Sequence, residues 1–255
     1  MPLSIEQFIC RSDNYGVLVH DPDSEQTLII DAPEEKPIAA AIERTGWKPT
    51  MLLITHHHGD HVAGNLGLKQ RYGMPIYGPA AERDNIPGID ETYDDGHTVP
   101  FGAYTIHVVS TPGHTAGHVS LHIPEAKLAF TGDTLFAMGC GRLLECQPPV
   151  MFESLKKIAE WPRDTVVYCG HEYTEANARF ALSVDPENEA LQRRAQEVEH
   201  LRASKEMTLP TTIGEELDTN PFLRWADPAI RKVLGMEDAT DSGVFAELRR
   251  RKDEF

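Results

Sequence analysis

Cysteine is scarce in this chain. Of 255 residues only Cys10, Cys140, Cys146 and Cys169 are cysteine, and no two form a Cys-x-x-Cys pair. That spacing excludes a disulfide framework and fits a reducing, cytoplasmic setting. Long apolar runs are missing as well: nothing approaches the roughly 18 apolar residues that mark a membrane span. The opening Met-Pro-Leu-Ser-Ile-Glu has neither a basic n-region nor an apolar stretch, so no signal peptide is expected. Positive charge is in short supply. A formal net charge of −16 argues against non-specific nucleic-acid binding and against an anionic membrane surface as partner. There is no internal repeat and no low-complexity segment. What remains is an ordinary globular composition, 40% apolar, at a length that suits one large domain or two modest ones.

Histidine is where the chain departs from the ordinary. Thr55-His56-His57-His58-Gly59-Asp60-His61 follows the apolar stretch Met51-Leu52-Leu53-Ile54, which reads as a short buried strand. A strand end opening into such a loop puts metal ligands on rigid support. In extended backbone His56 and His58 project one way and His57 the other, so His57 is read as packing or supporting the loop. Asp60 and His61 come as a turn begins, and one segment can thereby serve two adjacent metals. Three later segments repeat the same grammar of apolar strand, small residue, then His or Asp. They are Thr111-Pro112-Gly113-His114 with His118, Gly132-Asp133-Thr134, and Cys169-Gly170-His171-Glu172-Tyr173. Each alone is usually a turn. Together, in this order, they describe a metal site at the ends of sheet strands.

Residues 1–173 are strand-rich. Tyr15–His20 and Thr27–Asp31 suggest a hairpin, Lys36–Thr45 a helix, and His61–Tyr72 a helix starting at the ligand cluster. Further strands are expected over Pro75–Gly78, Thr98–Phe101, Tyr104–Ser110, His118–Ile123, Lys127–Thr131 and Thr165–Cys169, with a helix over Val150–Trp161. From residue 174 the periodicity is helical with no convincing strand, so a boundary is expected near 173–175.

The His-x-His-x-Asp-His run, Gly-His-Thr, Gly-Asp-Thr and Gly-His-Glu-Tyr resemble the metallo-β-lactamase superfamily. Asp13-Asn14-Tyr15, Gly139-Cys140-Gly141-Arg142, Asn220-Pro221-Phe222-Leu223-Arg224 and the closing Arg250-Arg251-Lys252-Asp253-Glu254-Phe255 narrow the resemblance to the hydroxyacylglutathione hydrolases. The resemblance spans nearly the whole chain. It implies an α+β fold, a four-layer αββα sandwich over 1–173 followed by a small all-helical substrate-binding domain over 174–255. It implies that His56, His58 and His114 hold one divalent metal, that Asp60, His61 and His171 hold a second, and that Asp133 bridges them. Asp60 and Asp133 are then also the catalytic carboxylates. Zinc is the first expectation, with iron or manganese also suiting a nitrogen and oxygen donor set. A hydroxide bridging the metals would attack the thioester of S-D-lactoylglutathione, giving glutathione and D-lactate in the second step of methylglyoxal detoxification. A thiolate leaves readily, its free-thiol pKa being about 8.5, so no strong general acid is needed. Because the metals supply the nucleophile, Cys140 and Cys169 are read as buried structural thiols.

The resemblance also gives a role to Arg249 and Lys252, which by composition alone would be the solvated end of a frayed helix. Together with Arg142 and Tyr173 they would hold the glutathione moiety, whose carboxylates suit charge-assisted hydrogen bonds. Arg142 stands where many relatives have lysine, Leu144 where some have tyrosine, and Cys146 where glycine is common. The expected partner is a small-molecule thioester and the expected state a monomer. Competing readings are a mononuclear-iron dioxygenase acting on glutathione persulfide, a lactonase, a phosphodiesterase and a non-enzymatic metal scaffold. The complete second ligand set and the basic helical end argue against the dioxygenase, and the complete set argues against the scaffold.

Overall fold

The computed structural model describes residues 1–255. Strands β1 (Ser4–Cys10), β2 (Asn14–Asp21), β3 (Gln26–Ile30), β4 (Met51–Leu53), β5 (Ile76–Pro79) and β6 (Glu91–Tyr93) form one sheet in chain order. The first three strands pair antiparallel and the rest parallel. Strands β2 and β3 are buried almost without alternation, as in a sheet covered on both faces. Helix α1 (Glu35–Thr45) packs Ile38, Ala41 and Ile42 into this core at helical spacing and ends at Gly46 with a φ of 73°. Strands β7 (Thr98–Phe101), β8 (Tyr104–Ser110), β9 (Val119–Ile123) and β10 (Leu128–Gly132) form an antiparallel meander.

Packing divides the chain into two compact units, residues 1–110 with 117–132, and residues 111–116 with 133–255. The second unit holds a hairpin of β11 (Leu135–Phe136) and β12 (Gly139–Cys140), and an antiparallel pair of β13 (Val166–Cys169) and β14 (Thr211–Thr212). Its helices are α4 (Pro148–Ala159), α5 (Thr174–Val184), α6 (Glu189–Ala203), α7 (Ile213–Thr219), α8 (Pro228–Leu234) and α9 (Asp241–Glu254). Asn188, Thr212, Asp227 and Thr240 cap four of them by accepting backbone N–H bonds. Phe180, Phe222 and Phe245 form a contiguous aromatic core, with ring centroids 5.8 and 6.0 Å apart along the series. Burying each contributes about 1.5–3 kcal/mol.

Two expectations change. The helix expected over 61–72 is two helices, α2 (Gly59–Val62) and α3 (Asn65–Tyr72). The break comes where Gly64 donates its N–H to Ala32 and lies so close to Glu35 that a Cβ would stand 3.0 Å from its nitrogen. The region after 174 is not wholly helical, because Thr211 and Thr212 add a strand against Val166 and Val167. No helix is long and apolar enough to cross a membrane.

Candidate metal centre

In the first unit the histidine segment leaves β4 and is fanned out by two buried carboxylates. Asp31, at a φ of 55° just after β3, accepts the Thr55 N–H at 2.7 Å, the Thr55 hydroxyl at 2.8 Å and His61 Nδ1 at 2.8 Å. A carboxylate can only accept, so His61 carries its proton on Nδ1 and turns a lone pair outward on Nε2. The Thr55 hydroxyl spends its proton on Asp31. His56 Nδ1, 3.0 Å from that hydroxyl oxygen, must therefore donate to it, and His56 Nε2 is likewise left as a lone pair. One aspartate thus sets the tautomer of two ligand candidates. The second carboxylate is Glu82, which accepts the His57 N–H at 2.6 Å and the Gly117 N–H at 3.0 Å, with His57 Nδ1 2.9 Å from the same side chain. Glu82 thereby anchors His57 and the loop, but the His57 ring meets His58 edge to face at 5.0 Å, so it does not turn away from that neighbour as extended backbone would have it. His56 and His58 meet edge to face at 4.8 Å, and His118 packs against His56 at 4.9 Å. Asp60 is held by Asn14, whose amide donates to its backbone oxygen and to Oδ2 at 3.1 and 3.0 Å.

In the second unit three remote segments converge. His114 Nε2 lies 3.4 Å and His171 Nε2 3.3 Å from one oxygen of Asp133, Oδ2. The loop carrying His114 is pinned by Ser154, which donates to the Pro112 carbonyl at 2.6 Å, and by Thr134, which donates to the Thr111 carbonyl at 3.0 Å. His114 Nδ1 donates to the Arg142 carbonyl at 2.8 Å, so its Nε2 presents a lone pair to the Asp133 carboxylate. Two acceptors facing each other repel unless a cation lies between them. Glycine is needed on the far side: a Cβ on Gly141 would stand 1.9 Å from the Asp133 carbonyl oxygen. The donor chemistry of both units fits divalent cations, and histidine and aspartate donors are gathered closely enough to hold them.

The second unit also carries an open cleft of about 380 Å³, lined by His114, Asp133, Phe136, Cys140, Arg142, Tyr173, Asn177, Arg249 and Lys252. Tyr173 stacks on His171 at 4.6 Å with the rings 6° from parallel. Arg249 is not frayed. Its side chain is only 5% exposed, it donates to the Cys140 carbonyl at 2.9 Å and to Asp253 at 2.8 Å, and it lies over the Phe222 ring. Lys252 donates to the Ala176 carbonyl at 2.9 Å and lies over Phe180 and Phe255. Burial, then the Arg249 charge, pushes its ammonium down to about 8. Arg142 is the exposed member, with its side chain 71% accessible and 3.9 Å from Asp253. Burial pushes the Cys140 thiol up to about 11 and the Cys169 thiol higher still, so neither is a thiolate at neutral pH. Sequence reasoning missed the buttresses Asp31 and Glu82 and the roles of Thr55 and Asn14. Asp31 was discoverable, because it too is an aspartate at the end of an apolar strand.

Two family models cover the chain in tandem. The Metallo-beta-lactamase superfamily matches residues 13–171, and Hydroxyacylglutathione hydrolase C-terminus matches residues 172–255. A hydroxyacylglutathione hydrolase of Mesorhizobium japonicum is 67% identical over 255 residues, covering 100% of both chains. One of Chelativorans sp. is 60% identical over the same length, again covering 100% of both. Among solved structures, the BLEG-1 B3 metallo-beta-lactamase aligns with a TM-score of 0.67 at 22% identity, covering 86% of this chain and 99% of that one. That likeness concerns the fold.

Proposed function

This chain belongs to the hydroxyacylglutathione hydrolase family of the metallo-β-lactamase superfamily, and from that premise we propose how its residues divide the work. It has the αββα sandwich followed by C-terminal helices, and it is a metal-dependent hydrolase of S-D-lactoylglutathione. His56, His58 and His114 would hold one cation, Asp60, His61 and His171 would hold a second, and Asp133 would serve both. The observation that carries this assignment is the pair of imidazole nitrogens facing a single Asp133 oxygen at 3.3 and 3.4 Å. Divalent cations, zinc foremost, supply a water that is nucleophilic at neutral pH and polarise the carbonyl. Asp60 and Asp133 are the catalytic carboxylates and accept hydrogen bonds from the attacking water. The water loses one proton to solvent and its oxygen bonds to the thioester carbon, the carbon–sulfur bond breaks, and glutathione departs as a thiolate that takes its proton from solvent and needs no protein acid. Residues 1–173 serve as the catalytic domain and 174–255 as the substrate-binding domain, a division that the two family models support.

Arg142, Arg249 and Lys252 bind the glutathione carboxylates, and Tyr173 forms a wall beside His171. Each hydrogen bond to a charged group contributes about 1.5–3 kcal/mol, or about 10–150-fold in affinity. The test is steady-state kinetics of metal-stripped and zinc-reloaded protein on S-D-lactoylglutathione and on a plain thioester lacking the glutathione carboxylates. Stripping should abolish turnover of both, reloading should restore it, and only the glutathione substrate should show a low KM that rises with salt. Full turnover by stripped protein, or equal KM for the two substrates, would contradict the assignment.

A further inference from the structure

The Asn-Pro-Phe segment at 220–222 has no part in the chemistry described so far, yet Asn220 is wholly buried. Its side-chain amide donates to the Phe136 carbonyl at 3.1 Å, the Gly139 carbonyl at 3.0 Å and Glu216 Oε2 at 2.9 Å. Glu216, one turn earlier on α7, is 1% exposed and accepts the Met138 N–H at 2.7 Å and the Thr211 hydroxyl at 2.7 Å. Three of these bonds, to Phe136, Met138 and Gly139, end on the hairpin of β11 and β12, which begins two residues after Asp133, and the other two tie Asn220 and Thr211 to Glu216. The hairpin does not hold itself in this shape. Ala137 and Met138 join its strands, and of the two only Met138 has a positive φ, at 53°. The two-residue turns that match strand twist need a positive φ at the first or at both positions. A methionine at positive φ is costly as well. The conformation is therefore imposed from outside, by carbonyls and an N–H captured by side chains of α7 and its C-cap, with Asn177 of α5 also donating to the Ala137 carbonyl at 3.1 Å.

We propose that Glu216 and Asn220 are positioning residues for the substrate cavity, fixing the hairpin so that Phe136 and Cys140 form its wall. This rests on the reading of that cavity as the glutathione site. Phe136 meets the Tyr173 ring edge to face at 5.4 Å, and Cys140 offers its carbonyl to Arg249. A hairpin released from its clamp would move both. The clamp needs acceptor geometry, not negative charge. Burial pushes the Glu216 carboxyl up to about 7, which leaves it substantially protonated near neutrality. A glutamine can keep the bonds, with its oxygen accepting from Met138 and Asn220 and its amide donating to Thr211.

The test compares Glu216→Ala, Glu216→Gln and Asn220→Ala with Lys252→Ala as a control, each metal-loaded, by KM, kcat, zinc content and Tm on S-D-lactoylglutathione. Glu216→Ala and Asn220→Ala should raise KM roughly tenfold or more, with kcat changed less and zinc content unchanged. Glu216→Gln should stay within about twofold of wild type in both constants. A KM unmoved in Glu216→Ala, while Lys252→Ala raises it, would overturn the clamp. A Glu216→Gln that loses kcat as the alanine variant does would overturn it too, because the carboxyl would then be acting chemically. If Lys252→Ala also leaves KM unmoved, the glutathione reading of the cavity has failed instead. Should Glu216→Ala not fold, Asn220→Ser carries the same arm: its hydroxyl is too short to reach both hairpin carbonyls, and an unchanged KM there overturns the proposal.

Discussion

The two compact units hold their ligand candidates in opposite ways. In the first, His56, His58, Asp60 and His61 come from six consecutive residues and are spread apart by the buried carboxylates Asp31 and Glu82. In the second, His114, Asp133 and His171 arrive from three distant segments and are held by backbone carbonyls, hydroxyls and a glycine. A contiguous motif brings its donors close for free but must be told which way each ring faces. A dispersed set needs no sorting, because each strand end delivers one ligand. The first arrangement depends on anionic support. The second depends on neutral hydrogen bonds and close backbone packing.

The largest effects should come from the shared carboxylate. Asp133→Ala should lose both cations and reduce turnover to near the uncatalysed level, whereas Asp60→Ala should fall toward one cation per chain and retain partial activity. Elemental analysis beside steady-state kinetics reads both, and equal metal content in the two variants would erase the distinction between a shared ligand and a single-metal ligand. Next comes the contrast in support. Asp31→Asn should weaken zinc binding about 10–100-fold, because His61 Nδ1 loses its acceptor and the Thr55–His56 relay is reversed. Thr134→Val removes one neutral hydrogen bond beneath the His114 loop and should cost only about 0.5–1.5 kcal/mol of stability, with little change in zinc affinity. Competition with a chromophoric chelator measures both. If Thr134→Val weakens zinc as much as Asp31→Asn, the two units are not supported differently.

The smallest effect is a pH dependence. Lys252 is charged below about 8 and neutral above it, so capture of an anionic substrate should weaken as pH rises through that value. Arg249, Arg179 and Asp253 surround it, but Lys252 is the member whose charge changes there. KM for S-D-lactoylglutathione should climb severalfold between roughly pH 7 and 9 in wild type. In Lys252→Arg, which stays charged, it should be flat. A climb of equal size in both proteins would assign the titration to another group.

Much of this was legible before the structure. Strand-then-His/Asp grammar located the segments that carry the proposed ligands, since period-2 burial and turn chemistry are local signals, and the family resemblance supplied their assignment. Four helices of the last third, α5, α6, α8 and α9, were readable from their 3.6 periodicity, whereas the seven-residue α7 was not. What the buttresses hold was not legible, even though Asp31 itself sits visibly at a strand end, because Asp31 lies 24 residues from Thr55 and 30 from His61, and Glu82 lies 25 from His57. Such distances carry no periodicity. The break at Gly64 was hidden because it comes from a close approach to α1, and the strand at Thr211 because two residues show no alternation. The hairpin at 135–140 escaped for a related reason: its turn lacks the residues that favour one, and its backbone is bonded by Asn177, Glu216 and Asn220 far along the chain.

The central claim is that Asp133 joins two cations, one held with His114 and the other with His171. Anomalous scattering from zinc-loaded crystals tests it directly. Two zinc peaks should appear per chain, with His114 Nε2 bonded to one, His171 Nε2 to the other, and the Asp133 carboxylate touching both. A single fully occupied peak, or Asp133 bonded to only one of two, would contradict it.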